Sequence, residues 1–345
     1  MITVIDNITY LLDEGKKSAT VTKSQRPYEG CVAIPAFVVN EGTEYAVTDI
    51  LDGAFEGSEA LLSVAIGENV ESIGISAFEG CTALDSVSFA GRPGIIGMLA
   101  FKGCSSLCSL SIPDSIMVIG REAFAGCTSL ESIKMPASLV NVEPSLFDGC
   151  NKLKGVSLGE NVDSIGEYAF CGCSSLENVE LPGSLLSIEK WAFRDCTSLQ
   201  NIELPESVVS VKNGVFWGCS ALRSFELPRA VNMLDEGVLA NCTSLESVTL
   251  GNGVLSIGYG AFYNCSSIKS ITVPPAVVNL GGQVFRNCSS LQELRVLCEA
   301  APMCSADIAD NDVYSRTLLL VPAGCVAEYG FARIWEKFGN VEELQ

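Results

Sequence analysis

The chain has 345 residues, 48% of them apolar, with 21 basic against 41 acidic side chains and no histidine. A formal charge of −20 opposes nucleic acids and anionic membrane surfaces, and no apolar run is long enough to span a bilayer. The same charge either keeps an apolar-rich chain in solution or suits it to a cationic partner.

The first seven residues, Met1-Ile-Thr-Val-Ile-Asp-Asn, read as a strand and not as a secretory leader. Ile8–Leu12 and Ser18–Thr22 continue as hairpin strands around Asp13-Glu14-Gly15. Val32–Ile34 and Ala36–Val39, then Asn40-Glu41-Gly42 and Tyr45–Thr48, read as a second hairpin. Residues 1–50 are therefore expected to form a β-hairpin cap.

From Phe55 to Cys288 one pattern recurs every 23 residues with no insertion or deletion. Its mark is Phe-x-x-Cys, from Phe78/Cys81 through Phe170/Cys173 to Phe285/Cys288. Leu239/Cys242 changes only the ring, and Phe55/Ser58 changes only the thiol. A fixed period of this length means a solenoid, whose units bury their apolar faces against their neighbours. Residues 51–297 are assigned to about eleven such repeats. Ten of the 16 cysteines share one repeat position, which points to a ladder of small buried thiols. Close Cys-x-x-Cys pairs and histidines are missing from that ladder, so no metal site is expected.

Within one repeat, Leu176-x-x-Val179-x-Leu181 reads as a half-buried strand, with Asn178 and Glu180 outward. One strand per turn of the coil predicts a single long parallel sheet. Pro182 and its equivalents end the strand for want of an N–H, and Gly67, Gly159 and Gly251 stop it elsewhere. Glu167–Phe170 is expected to be a short helical turn. The slot two residues after the Phe holds Gly, Asn or Asp, which tolerate the left-handed backbone that closes such a turn. That demand also accounts for Asn241, Asn264 and Asn287, each followed by Cys and a hydroxyl residue.

Residues 298–345 read as a degenerate repeat and a C-terminal cap. Thr317–Pro322 carries the strand-and-proline pattern two residues out of register. Cys325–Phe338 reads as a short amphipathic helix whose Tyr329, Phe331 and Trp335 cover the last rung. Cys298 and Cys304 are placed to form a local bridge in an oxidising compartment.

The units Ile119–Leu130 and Ile165–Leu176, with their Ile-Gly-x-x-Ala-Phe-x-Gly-Cys-x-Ser-Leu pattern, resemble the 23-residue leucine-rich repeats of the BspA-like family. The resemblance covers about residues 45–297, and the segment from Leu320 to Tyr329 is similar to the family's C-terminal cap. It implies an α/β solenoid: a right-handed coil with a parallel concave sheet, helical turns on the convex side, a β-rich N-terminal cap and a helical C-terminal cap. It also implies a secreted or cell-surface bacterial protein that takes part in adhesion and host-protein binding, without catalytic residues.

The outward positions of the strands are the expected binding surface. Asn178, Asn201, Ser224 and Ser247 lie in one outward column, and Glu180, Glu203, Glu226 and Thr249 in the next. Three glutamates on consecutive strands repel one another. Either Arg223 and solvent absorb that repulsion, or the column awaits a basic protein segment or a cation. Trp191, Trp217, Tyr168 and Tyr263, beside the Phe position, either cover neighbouring rungs or form a stacking platform for sugar or protein. Without histidine, and without a phosphate loop, nucleophile elbow or dinucleotide fingerprint, neither an enzyme nor a cofactor is expected. The residues thus point to a protein-binding or adhesion module with a host matrix or surface protein as partner, against a carbohydrate-binding surface or a passive spacer.

Overall fold

A computed structural model describes all residues from Met1 to Gln345. They form two compact units, Met1–Val162 and Asp163–Gln345. Each is a β-solenoid built mostly of short strands, with few helices.

The first side of each coil is the Leu-x-x-Val-x-Leu segment. In the first unit, β1 (Ile2–Ile5), β2 (Ile8–Asp13) and β3 (Ser18–Val21) form an antiparallel meander. Next come β4 (Gly30–Ala33), β5 (Phe37–Asn40), β6 (Thr43–Ile50) and β7 (Leu61–Ile66). β5 and β6 make the expected hairpin, turning on Glu41 and Gly42, both with positive φ. β4 does not join that hairpin. It pairs in parallel with β7, which pairs in parallel with Ser86–Phe89. Farther along, Ser132–Lys134 pairs with Gly155–Ser157. In the second unit Ser224–Glu226 pairs with Ser247–Thr249, and Ser270–Val273 starts a separate ladder through Glu293–Val296, Leu318–Val321 and Asn340–Glu343. The single continuous sheet expected from the repeat is thus interrupted. Asn201–Leu204 pairs with neither Asn178–Glu180 nor Ser224–Glu226.

The second side carries a further parallel ladder that periodicity did not reveal. Ser187–Ile188 pairs with Ser164–Ile165 and with Ser210–Val211, and β6 leads a matching ladder in the first unit. Two residues are too few to show alternation in a sequence.

The third side is the Phe segment, and it is not helical. Trp191, Phe193 and Asp195 donate their amides to the carbonyls of Asn213, Val215 and Trp217 on the next coil, at 3.0, 2.9 and 2.7 Å. The amides between them, on Ala192 and Arg194, close four-residue turns onto the carbonyls of Glu189 and Trp191. Left-handed residues stand both two before and two after the Phe, as at Trp191 (φ 56) and Asp195 (φ 58). An α-helix cannot propagate through that alternation. The slot after the Phe was readable from its Gly, Asn and Asp. The slot before it, filled by Leu99, Tyr168, Trp191 and several glycines, was not.

Inside, the Phe rings stack. In the first unit, Phe55, Phe78, Phe101 and Phe124 follow at 4.8, 5.1 and 5.7 Å. In the second, Phe170, Phe193 and Phe216 follow at 5.1 and 5.6 Å. The ring missing at Leu239 is matched by Phe225, which takes a Val or Ile slot and packs 5.5 Å from Phe216. Beside the stack, ladder thiols donate to the carbonyl at the Phe position one coil back: Cys81 to Phe55 at 3.1 Å, Cys196 to Phe170 at 3.2 Å, Cys242 to Phe216 at 3.2 Å and Cys265 to Leu239 at 3.1 Å. The same carbonyls accept the amide of the Cys in their own turn, as Phe78 does from Cys81 at 3.2 Å. Both lone pairs are therefore used.

The ends are closed by aromatics. Tyr28 packs 4.5 Å from Phe55, accepts from the Thr9 amide and donates to the Thr22 carbonyl. At the C-terminal end, α1 (Asn311–Arg316) fills the two-residue register shift before Leu318–Val321. The longer helix expected over Cys325–Phe338 is one short α2 (Val326–Phe331) followed by a single 3-10 turn. Tyr329 and Trp335 are buried, donating to the carbonyls of Cys298 and Pro302, each at 2.8 Å. Phe331, expected to face the last rung, is 88% exposed. All 16 cysteines are free thiols, Cys298 and Cys304 included.

Burial pushes the ladder thiols up from 9.0 to about 12 at Cys81, Cys150 and Cys288, and raises Cys127, Cys196 and Cys242 as well. Between those values the unfolded chain loses thiol protons that the folded chain keeps. Stability must therefore fall as pH rises from about 9 toward 12, by about 1.4 kcal/mol per pH unit for each thiol. Urea midpoints between pH 7 and 11 should be flat at first and then drop far more steeply than one group allows. The same burial predicts that alkylation of native protein at pH 7 spares the ladder, and that denaturant releases it. Phe193→Ala should cost about 3–5 kcal/mol through the cavity it leaves, whereas Ser247→Ala on the outward face should stay within about 0.5 kcal/mol. Equal denaturation midpoints for the two variants would contradict the inward and outward assignment.

Candidate functional site on the outward ladder

Strand alternation places Val179, Ile202 and Phe225 in the core and leaves Asn178, Glu180, Asn201, Glu203, Ser224, Glu226, Ser247 and Thr249 exposed. The structure gathers these outward residues around two adjoining depressions. One, of about 540 Å³, is lined by Asn178, Glu180, Asn201 and Glu203. The other, of about 400 Å³, is lined by Glu203, Ser224, Glu226, Ser247 and Thr249. Glu203 borders both, as do Ile202, Leu204 and Glu206.

Both depressions flank the break in the ladder. The amides of Gln200 and Arg223 still bond one coil back, to Glu177 and Gln200 at 3.4 and 3.2 Å. Beyond them Ile202, Glu203 and Leu204 make no backbone hydrogen bond. The break adjoins Phe225, the largest inward residue among these neighbouring strands, held against Phe216.

The carboxylates of Glu180, Glu203 and Glu226 enter no ion pair or hydrogen bond. Arg223 does not neutralise them, because its guanidinium is directed to Glu246 at 3.8 Å. Glu206 is a fourth carboxylate at the same place. The outward columns do not include it, although the run Glu203-Leu204-Pro205-Glu206 sets it in the turn just after the proline. No group of His, Cys, Asp and Glu side chains is arranged to hold a metal ion.

The aromatics on the Phe side have packing partners. Tyr168 and Trp191 stack at 5.1 Å. A Cβ on Gly214 would lie 2.4 Å from the Trp191 ring, and one on Gly237 would lie 2.8 Å from the Trp217 ring. Each indole thus covers a glycine of the next coil.

The coil geometry agrees with what comparison shows. The family model for the BspA type leucine rich repeat region matches residues 48–177 and 163–292, in six copies. The chain belongs to the BspA-type leucine-rich repeat family. Among solved structures, this BspA-type chain is similar to a leucine-rich repeat protein from Bacteroides ovatus. The two are 27% identical, with 99% of this chain and 100% of the other covered and a TM-score of 0.66. It is also similar to a leucine rich cell surface protein from Faecalibacterium prausnitzii, at 27% identity over 86% of this chain and 94% of that one, with a TM-score of 0.55. The pneumococcal vaccine antigen PcpA shares the fold at 16% identity, with 100% and 99% covered and a TM-score of 0.50. A search of curated proteins returned no match. No helix of the BspA-type chain is long and apolar enough to cross a membrane.

The glycine contact yields a direct test of the aromatic face. Gly214→Ala would force a methyl into the Trp191 indole and place alanine at φ +61. It should destabilise by about 1–3 kcal/mol, and Trp191→Ala in the same chain should recover part of the loss in melting temperature. No change for Gly214→Ala would mean that the indole does not lie on that coil.

Proposed function

We propose that this chain is a non-catalytic protein-binding module of the bacterial cell surface, and that the face around Glu180, Glu203 and Glu226 receives a basic segment of a partner protein such as a host matrix or surface protein. The observation that carries the reading is the set of unpaired carboxylates bordering two depressions at a break in the ladder. Like charges on neighbouring coils cost stability unless something cationic offsets them, and the Arg223 guanidinium is directed to Glu246. Membership in the repeat family supports a binding role, and a relative described as a cell surface protein supports the location. Tyr168, Trp191 and Trp217 have packing partners, which supports a covering role over a carbohydrate platform.

The test is a capped Lys-Ser-Lys-Ser-Lys peptide titrated against the protein and against its Glu180→Gln, Glu203→Gln, Glu226→Gln triple variant. Three exposed charge pairs of a few tenths of a kcal/mol to 1 kcal/mol each predict a loss of about tenfold at low salt, shrinking as salt screens the contacts. The triple variant should also be slightly more stable than the parent. A gain in stability with unchanged affinity across the salt series would leave the chain a spacer at this face.

A further inference from the structure

A different feature of the first unit is an arginine in a slot that elsewhere ties the coils together. In several turns that slot holds a short polar side chain bonded to a carbonyl of the preceding chain. Asn69 donates to Ala36 at 3.0 Å, Ser115 to Pro93 at 2.8 Å, Ser138 to Ile116 at 2.5 Å and Ser207 to Leu185 at 2.6 Å. Arg92 stands in the same slot, 23 residues from both Asn69 and Ser115. It is exposed, and its guanidinium enters no ion pair or hydrogen bond.

Arg92 borders an open depression of about 590 Å³, within the range of ligand sites. Phe37, Thr48, Glu68, Asn69 and Glu71 border it too. Phe37 belongs to the β5–β6 hairpin, and its ring is left 50% exposed. The bond from Asn69 to Ala36, next to Phe37, fixes that hairpin to the turn. The carboxylates of Glu68 and Glu71 are exposed and enter no ion pair or hydrogen bond. One coil on, their slots are held by Gly91 and Gly94, so no side chain stacks over either. A Cβ on Gly91 would lie 2.2 Å from the Glu68 carbonyl oxygen, and one on Gly67 would lie 2.6 Å from that of Ile34. Both turns are thus packed backbone against backbone, and the depression is preformed.

We propose that this depression binds one sugar unit of a neutral glycan. Its charged groups are two carboxylates, which only accept hydrogen bonds, and one guanidinium, which only donates. An anion would meet Glu68 and Glu71. A cation would meet Arg92, and would find a single ring where cation sites build aromatic cages. A hydroxyl both donates and accepts, so neighbouring hydroxyls of one sugar pair with the carboxylates and the guanidinium together. The exposed Phe37 ring offers an apolar platform for the C–H face of the sugar. One ring and a few hydrogen bonds on an open surface set the affinity in the millimolar range. The site shares no residue with the glutamate face or with the packed aromatics of the Phe side.

The probes are methyl glucoside, methyl galactoside, methyl mannoside and N-acetylglucosamine, each added to the full chain at tens of millimolar and read by saturation transfer from protein to sugar protons. At least one should show transfer that high salt leaves unchanged. Arg92→Ser gives the slot the side chain found at Ser115 and Ser138. It should keep or raise the melting temperature and weaken binding about tenfold, the worth of one charge-assisted hydrogen bond. Phe37→Ala, at an exposed position, should keep the melting temperature and abolish the transfer. The proposal is overturned by no transfer to any of the four sugars, or by equal transfer in both variants. N-acetylarginine amide is the cationic control. Transfer to it that Phe37→Ala removes would mark a site for basic peptides and would also overturn the proposal. None of these outcomes bears on the glutamate face, which contains neither Phe37 nor Arg92.

Discussion

The structure depends on how one coil bonds to the next at the Phe segment. Alternate amides of that arc reach the neighbouring coil, and the Cys thiol reaches the Phe carbonyl one coil back. Both bonds link residues a nearly constant distance apart in sequence, so an insertion in any coil would misplace every donor in it. This is the physical reason for an unbroken 23-residue period. The thiol suits the slot because it is small enough to sit beside stacked rings and is a weak donor that costs little to bury. Ser58, where the column opens, is used differently. Its hydroxyl is buried and accepts the Tyr28 amide, so the cap holds the first rung through the same position.

Much of this was legible because two periods cross. A period of 2 within the strand and a period of 23 between coils place each outward residue in a column and row. Asn178, Glu180, Asn201 and Glu203 are therefore grouped by the sequence pattern alone, and they line one depression. What failed to show has no period. The second ladder offers only pairs such as Ser187–Ile188. The left-handed slot before the Phe is masked by Trp191 and Tyr168, whose rings repay the strained backbone by packing on the next coil or on each other. The arc therefore looked like a helical turn. The break at Asn201–Leu204 is a missing set of main-chain bonds, which the repeat's periodicity does not show.

The exchange of Leu239 for a ring links the core to that break. The stack lacks a ring at Leu239, and on the coil before it Phe225 packs against Phe216 from the strand side. The bulk of the two coils is thus distributed differently from that of the regular rungs. It now stands on the side of the coil that carries the ladder. The strand beside it is unpaired, and the depressions lie on either side. A core substitution is thereby accompanied by a change on the outward face.

In a solenoid each coil contacts only its neighbours, so such departures stay local. The inward columns of Phe, Cys, Leu and Val repeat because each must satisfy two adjacent coils. The outward columns are held by no such demand, and the side chains there vary from Ser to Asn to Glu with little consequence for the stack. Position-specific chemistry on this scaffold has to be sought where an outward column holds charge without a partner, or where a ladder leaves main-chain groups open. The first condition is met at Glu180, Glu203 and Glu226, and the second at Asn201–Leu204. Where both conditions coincide, at Glu203, a ligand would find side-chain charge and unpaired backbone in one place, a combination absent from the regular rungs.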